Sequence, residues 1–133
     1  MGKQLRTIPR KALANHNGPK VVAAIPCLDE ERFIGAIVQQ TKPWVAQVYV
    51  VDDGSSDQTA QVAESAGALV IRHRRNLGPG SATKTCFNLA READADILVT
   101  LDGDGQHDPK EIGIMLSPLL TEEADLVIGS RFL

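Results

Sequence analysis

The sequence has 133 residues, a length that suits one domain with a packed core. Hydrophobic residues make up 43% and charged residues 23%, which is typical of a soluble globular protein and argues against a disordered chain. All 17 acidic residues lie after Lys20, whereas five of the 14 Lys and Arg residues lie within residues 1–20. The acidic body has no basic stripe with interleaved aromatic residues, so we expect no nucleic-acid partner.

Residues 1–20 are predicted to form a basic, flexible N-terminal extension. They contain several turn-forming residues and show no sustained hydrophobic period. Contact with anionic lipid is the alternative, but the apolar residues are too few for a convincing interfacial helix. We therefore expect the domain itself to occupy residues 21–133.

The sequence predicts a cytoplasmic location. No apolar run approaches the roughly 20 residues that span a bilayer, and the N-terminus lacks the apolar core of a secretory signal. Cys27 and Cys86 have no metal-ligand spacing, so we expect both to be reduced and to act as small apolar packing residues.

Hydrophobic periodicity and turn residues predict five strands that alternate with four helices. The strands are expected over about residues 21–26, 47–51, 68–72, 96–101 and 125–129, and the helices over about 31–41, 57–66, 81–92 and 108–117. The first and fourth strands are apolar on both faces, as in the centre of a parallel sheet. This order predicts a Rossmann-like, doubly wound α/β fold with a mainly parallel sheet and right-handed crossovers.

Acidic residues follow three of the predicted strands, and the carboxyl ends of parallel strands are where open α/β sheets bind ligands. An acid after an early strand can accept hydrogen bonds from a ribose or a base. Two acids after a later strand can hold Mg²⁺ or Mn²⁺ beside a phosphate. The pattern therefore predicts a nucleotide and a cation. The acids are Asp29 with Glu30, Asp52 with Asp53, and Asp102 with Asp104.

Several other nucleotide or metal motifs are absent. The turn after the first strand has no glycine, which a dinucleotide-binding loop requires, and no Walker A loop is present. An EF-hand loop beginning at Asp102 would need Gly and Glu where the chain has His107 and Gly113. A phosphatase with Asp102 as its nucleophile stays open as an alternative, although it leaves the acids after the first two strands unexplained.

Five segments resemble, in order over residues 21–132, the family 2 glycosyltransferases of GT-A fold, especially the dolichyl- or polyprenyl-phosphate sugar transferases. The segments are IPCLDEE, VVDDGSSDQT, RRNLGPGSATKTCFNLA, LDGDGQHDP and VIGSRF. The resemblance implies a GT-A nucleotide-sugar-binding domain. Because that family continues beyond the last segment, we expect a partial domain, shortened on its C-terminal side, that keeps the donor half.

The resemblance also implies roles for individual residues. Leu28 and Asp29 stand where the family more often has an aromatic–Asn pair. The implied nucleotide-sugar contacts are Pro26, Leu28, Glu30, Asp53, Asp102, Gly103 and Asp104. The implied metal ligands are Asp102, Asp104 and Gln106, and the implied catalytic residues are Asp104 and Arg131, with Arg131 contacting phosphate.

The activity implied by the resemblance is inverting sugar transfer from a GDP- or UDP-sugar to a polyprenyl (dolichyl) phosphate, with Mg²⁺ or Mn²⁺, as in dolichyl-phosphate mannosyltransferases. A lipid-linked acceptor implies peripheral contact with the cytoplasmic face of a membrane. A donor-binding or assembly module that is inactive without an acceptor half stays open as an alternative. Self-association through an exposed sheet edge is a further expectation.

Overall fold

The computed structural model describes residues 19–103 and the backbone of residues 126–129. The strands are β1 (Val21–Cys27), β2 (Gln47–Asp52), β3 (Leu69–Arg72), β4 (Ile97–Leu101) and β5 (Leu126–Gly129). The helices are α1 (Ile34–Thr41), α2 (Thr59–Ser65) and α3 (Pro79–Glu92), and a short 3₁₀ turn, Lys42–Trp44, follows α1. The predicted extension over residues 1–18 and the predicted helix over 108–117 lie outside the described residues.

The five strands form one sheet in the order β3-β2-β1-β4-β5, and every neighbouring pair is parallel. Such an order requires crossover connections, and α1, α2 and α3 provide those between the first four strands. The predicted Rossmann-like, doubly wound sheet is therefore confirmed, and each described strand lies within one residue of its predicted bounds.

The central strand β1 explains why the first apolar run lacks polar alternation. Val21, Ala23 and Ile25 pack on one face of the sheet in a cluster with α1 and α2. Val22 and Ala24 pack on the opposite face in a cluster with α3. Full burial of one aliphatic side chain contributes roughly 1.5–3 kcal/mol, so a strand covered on both faces favours an unbroken apolar sequence.

The starts of the three described helices differ from the prediction by two or three residues. Helix α1 begins at Ile34, three residues later than expected, because the acidic residues before it hydrogen-bond to a neighbouring loop. Helix α3 begins two residues earlier than expected, at Pro79, whose fixed φ and missing N–H suit the first position of a helix. No helix within residues 19–103 is both long and apolar enough to cross a bilayer.

Candidate functional site

A cavity of about 380 Å³ opens at the carboxyl edge of the sheet. Its size falls within the roughly 300–1,000 Å³ of small-molecule sites. The ends of β1, β2 and β4 form one wall, and residues 79–87 of α3 with the loop before the helix form the other. The lining residues are Pro26, Cys27, Leu28, Asp53, Asn76, Pro79, Ala82, Thr83, Cys86, Phe87, Thr100 and Asp102.

Four residues that the sequence assigned to the nucleotide-sugar site lie together in this cavity. They come from three neighbouring strands, and they are Pro26, Leu28, Asp53 and Asp102. Leu28 is 38% exposed, so its side chain is available at the rim. Three further assigned residues lie outside the described residues, and their roles stay predictions: Asp104, Gln106 and Arg131.

Gly103 and Glu30 lie side by side next to the cavity wall. A β-carbon built on Gly103 would lie 2.5 Å from Sγ of Cys27 and 3.4 Å from Cγ of Glu30. Only a residue without a side chain allows the backbone after β4 to approach the end of β1 this closely. The glycine therefore brings Asp102 next to the loop that carries Glu30.

The Asp53 carboxylate is held by the protein itself. Oδ1 accepts hydrogen bonds from the backbone N–H of Leu77 (2.9 Å) and from the His73 ring (2.9 Å), and Oδ2 accepts one from the Gly78 N–H (3.0 Å). Burial opposes ionisation of this group, but these hydrogen bonds outweigh it and lower the pKa of Asp53 below its ordinary value. Asp53 is therefore an anion that ties β2 to the loop before α3.

Asp52 has a different role from its neighbour. Its side chain is fully buried, Oδ1 accepts a hydrogen bond from the Ser55 N–H (3.0 Å), and Oδ2 lies 3.4 Å from Nε of Arg72. Arg72 in turn donates to the Ser55 carbonyl (2.6 Å). Of the two adjacent acids at the end of β2, Asp52 thus shapes the turn and Asp53 borders the cavity.

Reciprocal hydrogen bonds join the loop after β1 to the loop after β2. The Asp29 N–H donates to Oγ of Ser55 (2.8 Å), and Oδ1 of Asp29 accepts from the Ser56 N–H (2.9 Å). Farther along, the Gln58 N–H donates to the Glu31 carboxylate (3.0 Å). Asp29 and Glu31 thus fix the cavity rim, and the helix that was expected to begin at about residue 31 begins only at Ile34.

The sequence analysis missed the wall contributed by the α3 side. Asn76, Pro79, Thr83 and Phe87 line the cavity, although none of them was assigned to the site individually. The signal was available, because a turn-rich segment follows the carboxyl end of β3 at the same edge as the acidic residues. His73 lies in the same segment, and its side chain is only 11% exposed.

The donor chemistry at Asp102 suits a divalent cation of the Mg²⁺ or Mn²⁺ type. The residue lines the cavity, and a carboxylate is a hard oxygen ligand. Within the part of the chain that the structure describes, no three His, Cys, Asp or Glu side chains converge to hold a metal by themselves. A cation here would therefore also need oxygen atoms from a bound phosphate or from residues outside the described part.

Two relatives with related names match most of the chain. One, from Methanococcus voltae, is a UDP-N-acetylglucosamine–dolichyl-phosphate N-acetylglucosaminyltransferase, 32% identical over 80% of this chain and 50% of its own length. The other is a dodecaprenyl-phosphate galacturonate synthase of Rhizobium johnstonii, 32% identical over 80% of this chain and 34% of its own. The chain thus spans half or less of the length of these two relatives.

A solved structure shares the architecture. It is glucosyl-3-phosphoglycerate synthase of Mycobacterium tuberculosis in complex with Mn²⁺, UDP-glucose and phosphoglyceric acid, with a TM-score of 0.72 and 26% identity. The match covers 91% of this chain and 46% of the other. The described sheet therefore corresponds to part of a GT-A glycosyltransferase fold.

The family model described as glycosyl transferase family 2 matches residues 23–133. This range contains every described strand and helix except the first two residues of β1, together with the whole cavity wall. The chain belongs to glycosyl transferase family 2.

Proposed function

We propose that this chain binds a nucleotide-diphosphate sugar in the cavity and takes part in transferring its sugar, with inversion, to a polyprenyl phosphate. The observation that carries the proposal is the meeting of Pro26, Leu28, Asp53 and Asp102 at the ends of three neighbouring parallel strands. That edge is where open α/β sheets bind nucleotides. The volume of about 380 Å³ suits a nucleoside with part of a diphosphate.

The proposed donor lies with its nucleoside against the ends of β1 and β2, and with its diphosphate near the end of β4. Leu28 offers an exposed apolar surface to the base or ribose. Oδ2 of Asp53 accepts one hydrogen bond from the protein and retains capacity for a second, from the nucleoside. Glu30, beside Gly103, completes this side of the proposed pocket.

Asp102, Asp104 and Gln106 are the proposed ligands of a divalent cation, Mg²⁺ or Mn²⁺. When bound, such a cation would offset the negative charge that grows on the departing diphosphate. Support comes from the Asp102 carboxylate in the cavity wall and from the Mn²⁺ in the mycobacterial complex. Arg131 is proposed to contact a phosphate of the donor or acceptor as a bidentate donor.

The proposed acceptor is the phosphate of a polyprenyl phosphate. Its anionic oxygen attacks the anomeric carbon on the face opposite the diphosphate, a new C–O bond forms, and the old C–O electron pair leaves with the diphosphate. Because the nucleophile is already ionised, no strong general base is required. The names of the archaeal and rhizobial relatives support this class of acceptor. A lipid-linked acceptor would place the protein at the cytoplasmic face of a membrane.

Calorimetric titration of the chain with UDP-glucose, GDP-mannose, UDP and GDP, with and without Mn²⁺, tests donor binding. We expect metal-dependent binding of one nucleotide, weakened about tenfold or more, or 1.4 kcal/mol, in Asp102→Asn and Asp104→Ala. Glu92→Gln is the matched control, because it removes an exposed carboxylate at the far end of α3. If the folded chain binds none of the four compounds, the donor site proposed here is wrong.

Incubation with the bound nucleotide sugar and a short polyprenyl phosphate, followed by mass spectrometry of the lipid, tests transfer. A glycosyl phospholipid formed by this chain would establish the transferase activity. Donor binding without any product would instead favour the alternative of a donor-binding module that needs an acceptor half.

A further inference from the structure

His73 occupies a position behind the cavity wall, between two elements that form it. Its Nδ1 lies 2.9 Å from Oδ1 of Asp53, at the end of β2. Its Nε2 lies 2.9 Å from Oγ1 of Thr85, in the second turn of α3. The ring thus bridges a cavity-lining carboxylate to the helix on the opposite side of the cavity, without lining the cavity itself.

The carboxylate that His73 contacts also controls the segment before α3. Asp53 accepts the N–H groups of Leu77 and Gly78, which immediately precede Pro79. Asn76 and Pro79, on either side of these two residues, both line the cavity. The orientation of the Asp53 side chain therefore sets where this part of the wall lies.

The chemistry of the partners fixes the direction of the hydrogen bonds. An ionised carboxylate only accepts, so Nδ1 of His73 carries the proton in its bond to Asp53. The Thr85 hydroxyl donates to the Ser81 carbonyl (3.1 Å), and in that arrangement its oxygen accepts from an Nε2–H of His73. If Nε2 carries no proton, the hydroxyl must turn from Ser81 to the ring. Either arrangement keeps the ring joined to both partners.

We propose that His73 is a positioning residue for the nucleotide site. It holds the Asp53 carboxylate in place and, through this carboxylate, the part of the cavity wall formed by Asn76–Pro79. The identity of the ligand in this inference rests on the proposed function, but the hydrogen bonds of His73 are present in the structure without a ligand. The His73 side chain is 11% exposed and that of Asp53 is 5% exposed, so solvent competes little for their hydrogen bond. Such a bond to a charged group is stronger than one between neutral groups.

Amide hydrogen exchange of Leu77 and Gly78, measured by NMR on the chain without nucleotide, tests the positioning role. His73→Leu removes both ring nitrogens at similar volume, and we expect it to accelerate the Leu77 amide by about tenfold or more. The Gly78 amide should accelerate less, because it also donates to Oδ1 of Asn76 (3.0 Å). In His73→Asn the amide nitrogen can replace Nδ1, so exchange should stay within about threefold of the wild type. Thr85→Val should give an increase smaller than that of His73→Leu. Arg74→Gln, on the same loop and exposed, is the matched control.

The affinity of the same variants for UDP and GDP in the presence of Mn²⁺ tests whether the order of the loop affects the nucleotide site. For whichever nucleotide the wild type binds, we expect His73→Leu to lower the affinity by about tenfold or more and His73→Asn to keep it near the wild-type value. Three results would each overturn the positioning role. They are unchanged exchange in His73→Leu, equal effects of the Leu and Asn variants, and faster exchange without loss of affinity. If the wild type binds neither nucleotide, the proposed function is wrong, and the exchange rates still decide whether His73 orders the loop.

Discussion

A β-carbon on Gly54 would lie 2.5 Å from the carbonyl carbon of Arg75. Gly54 also has a positive φ of 79°, in the region that side chains rarely adopt. The residue stands at the point where the loop after β2 touches the loop after β3, next to the hydrogen bonds of Asp53. Close backbone approach at this glycine is therefore part of how the cavity wall is built.

Gly54→Ala is predicted to destabilise the protein by about 2 kcal/mol or more, because the new methyl group meets backbone atoms that cannot turn aside. The measurement is the free energy of unfolding in urea. Gly80→Ala is the matched control, since Gly80 lies in α3 with no atom within 4 Å of an added β-carbon. That substitution should be neutral or stabilising by about 0.5–1 kcal/mol. Equal stability of the two variants would contradict the proposed close approach.

Asp53 is predicted to link stability to pH below about pH 4–5. Its pKa in the folded protein lies below the value of about 3.9 for an unfolded chain. Its contribution to stability is therefore fully present above the unfolded pKa and is lost as the pH falls through the folded pKa. Asp53→Asn should be less stable than the wild type at pH 7 by about 1–3 kcal/mol, because the carboxylate that three donors share is gone.

Urea unfolding of both proteins between pH 7 and pH 3 measures this linkage. The stability difference between wild type and Asp53→Asn should shrink as the pH falls below 4. Asp57 also has a lowered pKa: burial opposes ionisation of its carboxylate, but hydrogen bonds from Thr59 outweigh that effect. Its effect is common to both proteins and cancels in the comparison. A difference that stays constant with pH would show that the Asp53 charge does not stabilise the fold.

The sheet and one wall of the cavity could be predicted from the sequence, for identifiable physical reasons. Burial of β1 on both faces selects an unbroken apolar run, and parallel strands bring Asp53 and Asp102 to the same edge. The sequence could not reveal which polar groups hydrogen-bond to one another within the folded protein. The partners of His73 lie 20 and 12 residues away along the chain, at distances with no local pattern. The start of α1 was missed for the same reason, since Asp29 binds Ser56.

Cys27 and Cys86 are predicted to react slowly with thiol reagents in the folded protein. Both are buried and unpaired, as the sequence analysis expected. Burial raises the pKa of the Cys86 thiol to about 12 and that of Cys27 well above its ordinary value. At pH 8 only about one Cys86 in ten thousand is then a thiolate, the reactive form.

Reaction with a chromogenic disulfide reagent at pH 8, with and without urea, measures this protection. Both thiols should react at least about a hundredfold more slowly in the folded protein than in the unfolded one. Cys86→Ala leaves Cys27 as the single thiol and should react as slowly as the wild type. Rapid reaction of Cys86 under native conditions would mean that α3 opens readily, and rapid reaction of Cys27 would mean that the end of β1 is accessible.

Asp29 is predicted to tolerate asparagine but not alanine. Its φ of 53° is a left-handed conformation that Asn and Asp adopt more easily than other residues with a side chain. Its Oδ1 accepts from both the N–H and the hydroxyl of Ser56, and an amide oxygen can accept the same bonds. Asp29→Asn should therefore change the free energy of unfolding by less than about 1 kcal/mol, whereas Asp29→Ala should cost about 1–3 kcal/mol.

Urea unfolding of both Asp29 variants provides the stability values, and nucleotide titration shows whether the cavity rim depends on the same contacts. Because Leu28 lies next to Asp29 and lines the cavity, the alanine variant should also weaken nucleotide binding, while the asparagine variant should retain it. Equal losses in the two variants would mean that the negative charge of Asp29, and not its hydrogen bonds to the Ser56 loop, maintains the rim. In that case the asparagine that the family more often carries at this position could not replace Asp29 in this protein.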